Sequence, residues 1–168
     1  TLGKTMGNKA MLYGAIAGTI PDLDVLSSNF VDTVTALEVH RGFTHSILFS
    51  VVFGGIFGWL TSLYEKRATF KQWYWLWFMC FITHPLLDAH TTWGTQLFWP
   101  LEYRVAYKNI FVVDPLYTLP FLVCVVWAAF LKRGSKKRSK INNTGLIISS
   151  SYMAITLILK GITYHKFT

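Results

Sequence analysis

Charge is scarce in this sequence. Charged residues fill 14% of its 168 positions, against about 25% in an average soluble domain. That argues against an ordinary water-exposed surface. Cysteine is scarcer. Cys80 and Cys124 each lie inside an apolar run, without metal-type spacing, so they read as inert packing residues rather than thiolate ligands. Several catalytic signatures are also missing. The chain has no G-x-S-x-G, no Ser-His-Asp triad pattern, no phosphate-binding G-x-x-x-x-G-K loop and no H-E-x-x-H helix, which removes the commonest serine-hydrolase, nucleotide-binding and metalloprotease readings.

What is abundant is apolar. Hydrophobic residues reach 52% and aromatics 17%, with 7 Trp, 8 Tyr and 13 Phe. Trp and Tyr in such numbers suit the headgroup level of a bilayer. Apolar stretches run over Met11 to Ile20, Ser46 to Tyr64, Trp73 to Leu87, Leu116 to Leu131 and Gly145 to Ile162. A bilayer span needs about 20 residues. The second and fifth stretches qualify alone, and the others need their polar flanks to finish a crossing. The expectation is an all-α, multi-helix transmembrane bundle of four to five spans, with residues 1–168 as a single integral membrane domain and 145–162 as its last span. A soluble helical protein with a very apolar core is the alternative. The chain begins at Thr1 rather than Met, so a longer native N-terminus is expected.

The net charge of +8 raises nucleic acid as a partner. The basic residues, however, concentrate in the connectors 65–72 (EKRATFKQ) and 132–140 (KRGSKKRSK), the usual bias of cytoplasmic loops. No nucleic acid is therefore expected. That orientation puts residues 21–45, 88–114 and the C-terminal tail on the external side.

The candidate ligands gather at that level. Asp22 and Asp24 lie in PDLD, His40 and His45 in HRGFTHS, His84 and Asp88 in HPLLD, and Asp114 in DPLY. Ionisable residues at a membrane edge are costly and point to function. His84 and Asp88, four apart, share one helix face, and Pro85 is expected to open a kink beside them. Thr44 is expected to cap the helix after it. Mixed His and Asp ligands suit zinc, one ion or more, or manganese. A metal-activated water is then the best catalytic route open to the chain. Asp114 before Pro115 also reads as a plain helix start, and Arg41 as a topology charge or an anion contact. His90 reads as a surface residue or an extra ligand. In TTWGTQLFWPLEYR, Gly94 suggests a left-handed turn, and the threonine hydroxyls suggest support for the ligands. Thr92 and Arg104, with Arg41, are candidate substrate contacts.

PDLD, HRGFTHS, HPLLDAHTTWGTQLFWPL and IFVVDPLYTLP together resemble the YdjM-like family of membrane-bound metal-dependent hydrolases, inner-membrane proteins of which some are regulated by the repressor LexA. These motifs cover residues 7–122. The resemblance implies a metal site at Asp22, Asp24, His40, His45, His84 and Asp88, with Asp114 as a further member. The H-x-x-x-D string is similar to one in zinc-dependent phospholipases C and related nucleases, which implies a phosphoester substrate such as a phospholipid or lipid-linked phosphate. On that reading Asp24 is the general base and Asp88 the second catalytic carboxylate, and the protein is a cytoplasmic (inner) membrane enzyme whose site faces outward and meets membrane lipids. A non-catalytic metal-binding scaffold is the alternative. The chain departs from the family pattern in its short C-terminus and in His90, where an uncharged residue is expected.

Overall fold

The computed structural model describes residues 2–30 and 40–167. Among them the chain is helical, and its only strand-like pairing is an isolated bridge between Thr95 and Val105. The helices are α1 (Leu2–Met6), α2 (Asn8–Thr19), α3 (Ile47–Tyr64), α4 (Phe70–Asp88), α5 (Pro115–Phe130) and α6 (Lys136–Phe167), with 3-10 segments at Pro21–Asn29 and Phe43–His45.

The ends of these helices are written into the sequence. Ser46 caps α3, its hydroxyl accepting from the Phe49 amide at 3.0 Å. This corrects the expectation for Thr44, which lies two residues too early and turns its hydroxyl elsewhere. Thr69 and Gln72 form a reciprocal capping box on α4. Asp114 caps α5, with Pro115 at the first helical position. α4 runs through Pro85 without ending there.

α3 and α4 form a hairpin pressed close by small residues. A Cβ at Gly54 would meet Phe78 Cα at 3.1 Å, and one at Gly58 would meet Tyr74 Cα and N at 2.8 Å. Backbones approach this closely only where a side chain is absent. Phe49, Trp77, Phe81 and Ala17 of α2 fill the core of this unit, and Trp77 Nε1 donates to Thr61 Oγ1 at 2.9 Å. Leu2, Met6 and Trp73 close its lower end. α5 and α6 make a second hairpin, where Gly145 admits Cys124 and Ser149 Oγ donates to the Tyr117 carbonyl at 3.1 Å. Cys124 thus packs as expected, and Cys80 is likewise a free thiol.

Of the four to five spans expected, two helices are long and apolar enough to cross a bilayer: Ile47–Tyr64 and Lys136–Lys166. Only 28% and 11% of these windows is buried, so neither is the hidden core helix of a soluble protein. α5 is apolar but, at 16 residues, shorter. Large apolar side chains such as Trp59, Leu119, Trp127 and Ile158 face outward, as lipid-facing positions do.

Candidate metal centre

The 3-10 segment after α2, the 3-10 turn before α3 and the end of α4 meet at one point. The first brings Asp22 and Asp24, the second His45, and the last turn of α4 brings His84 and Asp88 on one face. One atom from each of Asp22, His45, His84 and Asp88 lies within 4.8 Å of the other three. Asp22 Oδ1 is 3.5 Å from His45 Nε2 and 3.3 Å from His84 Nε2. Asp88 Oδ2 is 3.4 Å from His45 Nε2 and 3.8 Å from His84 Nε2.

None of these approaches satisfies the atoms involved. His45 Nε2, His84 Nε2 and Asp88 Oδ2 are buried and without hydrogen-bond partners, as is Arg41 Nε. Orphaned buried polar atoms are costly and call for an explanation. A cation explains the first three. Zinc bonds of about 2.0–2.2 Å in a tetrahedron set ligand atoms roughly 3.3–3.6 Å apart, close to the edges seen here. The donor set therefore fits a divalent metal.

His45 is oriented from behind. Its Nδ1 donates to Thr44 Oγ1 at 3.1 Å, and that hydroxyl donates to Asp24 Oδ2 at 2.7 Å. The relay fixes the proton on Nδ1 and aims the Nε2 lone pair at the group. Asp24 also accepts from His40 Nδ1 at 2.7 Å and from the Arg41 amide at 3.2 Å. Both its oxygens thus accept hydrogen bonds, and Asp24 stands behind His45 and His40 rather than among the four gathered atoms. Replacing Asp24 by asparagine is expected to weaken zinc binding about 10–100-fold with unchanged stoichiometry, as read by isothermal titration. A lost equivalent of metal would make it a ligand instead.

His40 stands beside the group, its ring 5.8 Å from that of His45, rather than inside it. Arg41 has a left-handed backbone, φ 63°, a conformation that costs a non-glycine residue about 1 kcal/mol or more. It turns the buried guanidinium onto Thr91 Oγ1, 2.8 Å from Nη1, with Nε 3.4 Å from Asp88 Oδ2. Thr91 Oγ1 donates in turn to the Asp88 carbonyl at 2.7 Å. Arg104 Nη2 reaches the His40 carbonyl at 3.4 Å, while Thr92 is exposed. Gly94 has φ 67° and lies where a Cβ would strike the Val105 carbonyl at 2.5 Å.

Two residues lie elsewhere. Asp114 is taken by the α5 cap and by Tyr152, whose hydroxyl donates to Oδ2 at 3.0 Å, so the structure does not bring it to the group. His90 pairs with Asn109 Oδ1 at 2.9 Å. Thr44 and Thr91 are the parts of the site that sequence placed only loosely. The signal for Thr44 was its position beside His45, where a hydroxyl reaches the neighbouring imidazole.

Burial opposes a charge on His45, but Asp22, Asp24 and Asp88 outweigh it and push the metal-free imidazole up to about 10. His45 and His84 hold the Asp22 carboxyl well below its usual value. Burial raises Asp24, and the donors on His45, Thr44, His40 and the Arg41 amide reverse this to about 2. In metal-free protein the His45 contribution to stability is complete below 6.5 and lost as pH rises through about 10. The Asp24 contribution is present above 3.8 and lost as pH falls through about 2. Thermal unfolding of chelated protein should therefore show a maximum between pH 3.8 and 6.5. Metal must displace the His45 proton, so zinc affinity should rise about tenfold per pH unit across neutrality. A flat profile would remove His45 from the ligand set.

Comparison with known proteins places the chain in a family of inner membrane proteins. Residues 1–163 match the family described as YdjM inner membrane protein. The chain is 30% identical over 96 residues to the inner membrane protein YbcI of Escherichia coli K12, covering 57% of this chain and 55% of the relative. It is 28% identical over 124 residues to the uncharacterized protein YfhP of Bacillus subtilis 168, covering 71% of this chain and 37% of the relative. The chain thus spans about half, or less, of the length of these curated relatives. No solved structure matches it.

Proposed function

Because the chain belongs to the YdjM inner membrane protein family, we propose that it is a multi-pass inner-membrane hydrolase of phosphoesters, using a divalent cation held by Asp22, His45, His84 and Asp88. The observation that carries this reading is the set of buried, partnerless atoms on His45, His84 and Asp88, gathered with Asp22 at ligand spacing. Zinc suits the mixed imidazole and carboxylate donors best, with manganese next. When bound, such a cation supplies Lewis acidity and makes water more acidic near neutral pH.

The chain's own residues supply the rest. Asp22 is half exposed, with a side-chain accessibility of 52%, and marks the open side from which substrate enters. Arg41, held by Thr91 and with its Nε 3.4 Å from Asp88 Oδ2, brings a positive charge for an anionic phosphoryl oxygen. Arg104, beside His40, adds a second positive charge. His40 is the proton carrier: Asp24 fixes its Nδ1, which leaves Nε2 for the exchange. The α2, α4 and α5 segments complete four to five spans with their polar flanks, the site faces the external side, and the substrate is a phospholipid or lipid-linked phosphate.

The test is headgroup release from phospholipid by purified protein in detergent. Activity should vanish with a chelator and return with zinc. Activity indifferent to chelation would sink the hydrolytic reading. A second reading has one observation in its favour: four side chains from three segments fill a four-coordinate shell, as structural zinc sites do. A metal-binding scaffold would bind one zinc tightly, lose thermal stability on chelation and release no headgroup.

A further inference from the structure

A second feature of the protein, a cavity, lies away from the His/Asp group. It holds about 260 Å³ between the N-terminal helices and the α5–α6 connection, lined by Lys4, Met11, Ser135, Arg138, Ser139 and Asn142 together with small residues. It sits at the start of α2, whereas the His/Asp group sits past its end. Twelve helical residues separate the two levels, about 18 Å.

The charge around this cavity is of one sign. Residues 2–11 carry Lys4 and Lys9 and no acid. Residues 128–142 carry six basic residues, Lys132, Arg133, Lys136, Lys137, Arg138 and Lys140, and no acid. Lys9 is paired with Glu65. Arg133 is spent on structure, its Nε donating to the Lys4 carbonyl at 3.0 Å. Arg138 is less well served. Its Nη1 reaches the Leu131 carbonyl at 3.4 Å, and among the described residues its Nη2 meets only the Met11 thioether at 3.1 Å. Sulfur is a weak acceptor, and a guanidinium has five donors matched to a phosphate or carboxylate. Two hydroxyls and an amide line the same space, as suits a ligand that is anionic and rich in oxygen. The cavity also lies where the apolar runs of α5 and α6 give way to polar chain, the level at which lipid headgroups sit.

We propose that this cavity is a phosphate-binding site, with Arg138 and Lys4 as its charged contacts and the headgroup of an anionic phospholipid as its occupant. Basic pockets between membrane helices take such headgroups. The site is separate from the His/Asp group and does not depend on hydrolysis.

The experiment is native mass spectrometry of the purified protein in phosphatidylcholine micelles titrated with phosphatidylglycerol, and in a parallel arm with inorganic phosphate. The wild type should retain phosphatidylglycerol over phosphatidylcholine. Arg138→Gln and Lys4→Gln should each weaken retention about fivefold, and Lys66→Gln in the 65–72 connector should not. Lys4→Gln breaks no side-chain hydrogen bond among the described residues, so it keeps the test decisive should Arg138→Gln disturb the Leu131 contact. Arg138-dependent binding of inorganic phosphate without lipid preference would keep the phosphate site and identify a soluble occupant. Equal retention of both lipids with no phosphate binding would overturn the site, as would an equal loss with Lys66→Gln.

Discussion

Replacing His84 by alanine is expected to abolish stoichiometric zinc binding and to lower chelator-sensitive hydrolysis by about a hundredfold or more. Changes behind a metal ligand typically cost 10–100-fold, and removal of a ligand should exceed them. The argument rests on placement. His84 sits one turn before Asp88 on α4, and its Nε2 is buried without a hydrogen-bond partner 3.3 Å from Asp22 Oδ1. Among the described residues no hydrogen bond is lost when that imidazole goes, so the helix should persist while the metal does not. Elemental analysis of the purified variant reads the first effect and headgroup release the second. His90→Ala is the matched control, since His90 turns to Asn109 and should leave metal content unchanged. Equal zinc in the His84 variant and wild type would remove the centre altogether.

The second large effect is on the fold. Gly58→Ala should destabilise the protein by about 1–3 kcal/mol. The new methyl would lie 2.8 Å from both Cα and N of Tyr74 and 3.3 Å from the Trp73 carbonyl carbon. These are backbone atoms, so no change of rotamer relieves the contact, and α3 must move away from α4. Gly55→Ala, three residues earlier on α3, meets nothing within 4 Å. It should be neutral or stabilise by up to about 1 kcal/mol through helix propensity. Thermal unfolding in detergent distinguishes the pair. An equal response at both positions would mean that the two helices are not in this contact. Zinc affinity should fall less than stability, because Gly58 lies about 20 Å along α3 from His45.

Much of this was legible in sequence, for reasons that differ by residue. Apolar runs marked α2 to α5 to within three positions, whereas α6 begins at Lys136, nine residues before its apolar run and inside the basic stretch read as a connector. The i, i+4 spacing of His84 and Asp88 put two members of the His/Asp group on one face. The division of labour among the acids was not legible. Asp22 and Asp24 are two residues apart in the same string, yet one faces the group and the other backs it. Which does which depends on side-chain direction in a short 3-10 segment, and no periodicity encodes that. Asp114 has the right residue type, but the amides at the start of α5 and the Tyr152 hydroxyl claim it first. The capping hydroxyl of α3 fell on Ser46 because the chain is still turning at Thr44. Span number is similarly underdetermined. α4 has the length of a crossing, 19 residues, but its polar last turn is where the ligands lie.

The ligands are also divided in the order in which the chain is made. Asp22 and His45 precede α3, whereas His84 and Asp88 end α4. During synthesis, a ribosome that has delivered only the first half has delivered two ligands and no site. The His/Asp group can therefore assemble only after the α3–α4 hairpin has closed and brought the end of α4 back to the turn before α3. A chain truncated anywhere before Asp88 keeps at most three of the four side chains, and cannot complete the group.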